Sequence, residues 1–196
     1  MQTITATHGN SDVRSFASTL AGRSLVVVGA TAFVAVCAHI ALPLGFTPVP
    51  LTLQTFAVLL IGLALGPQTA FAALSLYLAE GAVGLPVFNP QGLSSGAQLL
   101  GPTGGYLLAY PFAAAAAGLA YAQLRRRLSP FAAALSAAVP ALLIIFAMGA
   151  LWLGFLTHAS AAALWATAVA PFLPGELLKM SAAAGCAVSW NRWKTR

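Results

Sequence analysis

PFAAALSAAVPALLIIFAMGALWLGFL, residues 130–156, contains no charged side chain. About 20 apolar residues in a helix cross the hydrocarbon core of a bilayer, so this stretch reads as a transmembrane helix. Pro140 lies inside it and is expected to kink it. Working outward, five further apolar segments read as spans: 24–41, 52–65, 68–83, 104–123 and 174–190. Residues 160–170 (SAAALWATAVA) are too short to span and read as a helix at the outer interface, with Trp165 as its anchor. Composition agrees over all 196 residues, which are 60% hydrophobic and 6% charged. A soluble domain is about 25% charged. Three Asp+Glu and nine Lys+Arg cannot cover a soluble globule, which excludes a soluble enzyme, and the low polarity excludes a disordered chain. The expected fold is all-α, a polytopic bundle of six transmembrane helices with Pro/Gly-rich outer loops capping a cavity.

The few charges orient that bundle. Lys and Arg collect on the cytoplasmic face of membrane proteins. Arg14 and Arg23 precede the first span, Arg125, Arg126 and Arg127 follow the fourth, and Arg192, Lys194 and Arg196 follow the sixth. Six spans put all eight on one side with both termini cytoplasmic, and an odd number would scatter them. Residues 1–23 form a polar tail without the pattern of a cleaved leader, 24–190 the membrane domain, and 191–196 a cytoplasmic tail. The net charge of +6 is thus a topology signal rather than a nucleic-acid footprint. Cys37 and Cys186 sit in apolar runs and read as small buried hydrophobes.

One cation escapes this rule. Lys179 lies within the sixth span, in LPGELLKMSAAAG (173–185), where a mid-bilayer Lys costs about 2.5–3.5 kcal/mol on insertion scales. Glu176, three residues earlier, shares its helix face. The two can form a structural ion pair or bracket one ligand; intramembrane ionisable residues are functional by default. Glu80 closes the third span and reads as an interface residue, and His39 as a cap. Three scattered His and two Cys make no metal-ligand spacing, no Gly-rich turn marks a nucleotide site, and the only Asp, Asp12, lies in the tail.

The loop GLPVFNPQGLSSGAQLLGPTGG (84–105) is long, yet carries Leu, Val and Phe. Non-helical apolar backbone at membrane depth must be buried in protein or line a cavity, so it reads as a lid. The first outer loop, LPLGFTPVPLTLQTF (42–56), has the same character, with Thr52, Gln54 and Thr55 as its polar edge. Amides (Asn89, Gln91, Gln98), hydroxyls (Thr47, Ser94, Ser95, Tyr106) and the Glu176–Lys179 pair then line an outward cavity. Such a lining suits a small amphiphilic solute with amide-like hydrogen bonding. A chain this short, with no ATP motif, is expected to work with a partner motor.

GPTGGYLLAYP (101–111), GLPVF (84–88), PVPLTLQTFAVLLIGLALGP (48–67) and PFLPGELLK (171–179) resemble the BioY family, the biotin-binding S components of energy-coupling factor (ECF) transporters. The match runs in order from about residue 30 to residue 184. It implies biotin as ligand, capture from the outer face of a prokaryotic cell membrane, and no catalytic residue, metal or cofactor in this chain. It also implies coupling to one transmembrane protein and two ATPases that hydrolyse ATP; action without that module, as a homo-oligomer, is the alternative, with a different vitamin or an intramembrane enzyme as further ones. The acid–xx–Lys element lands on Glu176 and Lys179, with Glu where the family commonly has Asp. Glu176, Lys179, Gln98 and Asn89 are expected to hold polar parts of the ligand, and Phe46, Phe88 and Tyr106 to cover its ring and tail. The alanine-rich first-helix motif, which implies partner docking, lands on Thr31 and Ala35.

Overall fold

The computed structural model describes residues 20–195. Most of the expected N-terminal tail, including Asp12 and Arg14, and the terminal Arg196 lie outside the described residues. Helix α1 (Leu20–His39) leads into a minimal antiparallel ribbon, β1 (Ala41–Leu42) with β2 (Leu51–Thr52), in which Ala41 faces Thr52 and Leu42 faces Leu51. Helices α2 (Gln54–Leu65) and α3 (Pro67–Ala82) follow. Gly66 joins them at φ 80°, a left-handed conformation open to glycine, and Pro67 starts α3 where a missing N–H costs nothing. The lid loop holds one helical turn, α4 (Ser95–Gln98), and ends at α5 (Gly104–Leu124). Helix α6 (Pro130–Thr157) is continuous through Pro140, and left-handed His158 caps it. A single turn, α7 (Ala161–Leu164), passes through a π-helical turn (Trp165–Val169) and a 3-10 turn (Ala170–Phe172) into α8 (Leu173–Thr195).

The chain is a multi-pass membrane protein, and four helical stretches are long and apolar enough to cross a bilayer: Ala21–His39, Gly104–Leu124, Pro130–Thr157 and Ala161–Trp193. The other two expected spans are shorter, with 12 residues in α2 and 16 in α3. At 1.5 Å per residue they reach about 18 and 24 Å, short of a hydrocarbon core of about 30 Å. Residues 160–170, expected as a separate interfacial helix, run continuously into α8. Trp165 is exposed. Helix α8 continues to Thr195, past the expected end of the membrane domain at residue 190.

Small residues set the helix spacing. Helix α5 packs against α6, α3 and α2, while α8 lies against α2 and α6. Ala113 and Ala117 of α5 and Ala134 and Ala138 of α6 are fully buried. A side chain at Gly62 would run into the Ala114 carbonyl, so α2 and α5 approach through backbone. The outward faces carry large apolar groups, among them Leu143, Leu151, Phe155 and Leu178, as lipid contact requires.

One expectation is corrected here, and a second residue pair is placed more closely. Thr31 is buried, and its hydroxyl lies 3.0 Å from Glu80 Oε1 and 2.9 Å from the Val28 carbonyl, between which its one proton is shared. That contact serves a carboxylate expected at the interface, and Ala35, one turn on, is half-buried. Cys37 is buried as expected, but Cys186 is exposed, because α8 turns that face outward.

Candidate functional site

The site lies at the end of the bundle that carries the two long loops. Two observations explain how those loops are held there without regular structure. First, the π-turn leaves carbonyls without an in-register helical donor. Thr47 of the first loop donates to the Thr167 carbonyl at 2.8 Å, and Tyr106 of α5 donates to the Ala168 carbonyl at 2.8 Å. Second, the lid is anchored along its length. Phe88 is buried edge-on against Tyr77, 5.2 Å between centroids, in space available because residue 81 is glycine. Gln98 donates to the carbonyls of Asn89 and Leu93, both at 2.7 Å. Trp152 of α6 donates to the Gly101 carbonyl at 2.9 Å.

Beneath the lid is a cavity of about 50 Å³. Three side chains of its polar lining, Glu176, Lys179 and Thr55, are bonded to one another. Pro174 and Gly175 open α8, and Glu176 follows within its first turn, where helix N–H groups favour a negative charge. Lys179 Nζ lies 2.6 Å from Glu176 Oε1, and Thr55 of α2 donates to the same oxygen at 2.8 Å. Lys179 also donates to the Thr55 hydroxyl at 3.1 Å. The side chain of Glu176 is 4% exposed and that of Lys179 is 11% exposed, so the pair is largely removed from solvent. Glu176 Oε2 is buried with no hydrogen-bond partner among the described residues. A buried unsatisfied acceptor is costly, so this oxygen and the third donor of the Lys179 ammonium are poised for a group that enters the cavity. Tyr106, Tyr110, Phe146 and Phe172 add aromatic rings to the lining.

The structure brings together five of the seven expected ligand residues: Glu176, Lys179, Gln98, Asn89 and Tyr106 all line this cavity. It does not bring in Phe88 or Phe46. Phe88 supports the lid from behind, and Phe46 is 63% exposed on the first loop. Aromatic character identified both, but which way a loop side chain turns depends on the tertiary contacts of its neighbours. Thr47 and Gln91 line a second cavity of about 430 Å³, closer to the loops, which shares Pro50, Asn89, Gln98 and Thr103 with the first. Ser94 is exposed. Sequence reasoning missed Tyr110 and Phe172, and read Thr55 only as part of a polar loop edge. Its two hydrogen bonds had no signal in sequence, since Glu176 is 121 residues away and Lys179 is 124. Among the described residues there is no cluster of metal-ligating side chains.

Apolar helices folded around a capped polar cavity define a multi-pass membrane protein with one candidate ligand site. Residues 10–196 match the BioY family. The chain is 40% identical over 164 residues to the biotin transporter BioY of Thermotoga maritima, covering 83% of this chain and 92% of that protein. It is 39% identical over 153 residues to the probable biotin transporter BioY of Pyrococcus horikoshii, covering 78% and 85%. The fold is similar to the crystal structure of the S-component for biotin from an ECF-type ABC transporter, with TM-score 0.78, 24% identity and coverage of 97% of this chain and 96% of that one. The chain belongs to the BioY family.

Proposed function

We propose that this protein captures biotin and carries it across the cell membrane as the substrate-specific S component of an ECF transporter. The observation that carries this reading is the orphaned Oε2 of Glu176 in the cavity wall. Biotin offers a ureido group with two N–H donors and one carbonyl, an apolar thioether ring and a valerate carboxylate. A ureido N–H satisfies Glu176 Oε2, and the free Lys179 donor meets an oxygen of the same ligand through a charge-assisted bond. The aromatic wall covers the thioether ring. The names of the relatives point to the same ligand.

In this reading α2 and α3 complete six membrane segments as a short pair, and the arginine-rich end faces the cytoplasm with both termini. The lid end then faces outward. Ligand sites of this kind occupy about 300–1,000 Å³. The inner cavity reaches that size only by joining the outer one, so biotin enters when the shared wall of Pro50, Asn89, Gln98 and Thr103 parts. This chain acts as a binding and transport component and not as an enzyme; a coupling membrane protein and two ATPases supply the energy.

The test is titration of the purified protein with biotin, riboflavin and thiamine. Saturable binding of biotin alone is expected. Binding of another vitamin in its place, or none, overturns the assignment. Co-purification of two ATPases from the native membrane is expected, and their absence together with retained uptake would replace the ECF reading with a self-sufficient transporter.

A further inference from the structure

Hydrogen-bond accounting fixes the orientation of one more cavity side chain. Tyr77 is fully buried on α3, behind the cavity wall. Its hydroxyl lies 3.0 Å from the Val87 carbonyl, which can only accept, so the single phenol proton goes there. The Gln54 carboxamide lies 2.8 Å from the same hydroxyl. With its proton committed, that hydroxyl can only accept, so the NH₂ of Gln54 must face Tyr77. The other limb, Oε1, accepts from Thr52 Oγ1 at 3.2 Å, and Thr52 Oγ1 accepts in turn from the Gln54 backbone N–H at 3.3 Å. Thr52 and Gln54 line the cavity, whereas Tyr77 and Val87 do not. The carboxamide is therefore locked with its nitrogen toward the protein and its oxygen toward the cavity side. A carbonyl oxygen has two lone pairs, and Thr52 uses one.

We propose that Gln54 is a specificity-determining acceptor for the ligand, and that Tyr77 is the positioning residue that fixes its polarity. Gln54 Oε1 and Glu176 Oε2 then give the wall two acceptors. Gln54 and Thr55 are consecutive, and Thr55 is bonded to Glu176, so both acceptors belong to one connected set. Such a wall selects a rigid ligand face with two N–H donors, as in a cyclic urea, and rejects an isostere with oxygen in place of either N–H, which sets lone pair against lone pair. The inference rests on the biotin reading and adds to it how the site recognises the ureido ring.

The experiment measures the affinity of the purified protein for biotin and for its two cyclic-carbamate analogues, in which oxygen replaces one or the other ureido N–H. Wild type is expected to prefer biotin over each analogue by about 10- to 100-fold, the range for one lost or opposed hydrogen bond. In Tyr77→Phe the carboxamide is free to flip and offer its NH₂. Preference over the analogue that faces Gln54 should then fall at least about fivefold, while preference over the other stays. Gln54→Met, which tests the acceptor without touching the lid, should erase the same preference. A merely structural role would lower all three affinities alike. Unchanged affinity ratios in both folded variants overturn the inference while leaving the biotin reading intact; wild type that fails to bind biotin overturns the reading on which it rests.

Discussion

Lys179 Nζ lies 2.6 Å from one oxygen of Glu176, one turn back on the same helix, while the other oxygen of that carboxylate is buried without a partner. An ion pair present only for packing would be expected to satisfy both oxygens, because each unmet buried acceptor costs about 1–3 kcal/mol. The asymmetry commits one oxygen of Glu176 to the pair and leaves the other for the proposed ligand contact.

Stability and binding should therefore separate in a double-variant cycle. Lys179→Met leaves a buried carboxylate without its cation, a change that costs about 3–5 kcal/mol in a buried pair. A clear fall in melting temperature in detergent and loss of biotin binding are expected. Glu176→Gln combined with Lys179→Met should recover most of the melting temperature and none of the binding. Recovery of both would mean that the pair serves packing alone.

Thr55→Val keeps the shape of the side chain but removes the hydroxyl shared by Glu176 and Lys179. Loss of hydrogen bonds to charged groups, about 1.5–3 kcal/mol each, should weaken biotin affinity at least about tenfold in isothermal titration. Wild-type affinity would remove Thr55 from the site.

The two phenylalanines outside the cavity should behave differently. Phe46→Ala removes an exposed ring that makes no cavity wall, and biotin affinity should stay within about twofold, because surface substitutions of this kind fall within about 0.5 kcal/mol. Phe88→Ala empties the space between Tyr77 and Gly81 and should cost about 3–5 kcal/mol of stability, read as a lowered melting temperature together with faster biotin release. A strong affinity loss in Phe46→Ala with none in Phe88→Ala would reverse the placement of these rings.

Gly149 has no side chain because the Tyr106 ring occupies that space. Gly149→Ala should push the ring off the cavity wall and strain its bond to the Ala168 carbonyl. Overpacking of this kind costs about 1–3 kcal/mol, and weaker biotin binding should accompany the lowered melting temperature. An unchanged protein by both measures would show that the ring can relax without cost.

Much of this architecture was legible in the chain. Residues 130–156 and 104–123 each fall within one observed helix, because unbroken apolar runs have one solution in a bilayer, a helix that satisfies its own backbone. Glu176 and Lys179 stood out because a charge in an apolar span must have a reason. That residues 84–105 pack against the bundle was legible from an apolar loop that could not lie in water, since Phe88 is buried there. Helical lengths were less so: Gly66 and Pro67 bound α2 and α3 visibly, yet their short reach comes from where the flanking loops turn.

The sequence by itself determined that the chain lives in a membrane, which segments are helical, and which ion pair sits where charge is costly. These follow from local hydropathy, helical periodicity and the expense of burying charge. Only the tertiary structure decided that Thr31 turns inward to Glu80, that Phe46 faces away from the cavity while Phe88 braces the lid, and that Thr55 completes the Glu176–Lys179 set. It alone also oriented Gln54 through Tyr77 and Val87. The physical reason is the same in each case: a hydrogen bond or ring contact joins residues far apart in the chain, and neither partner carries a mark of the other until helix packing brings them together.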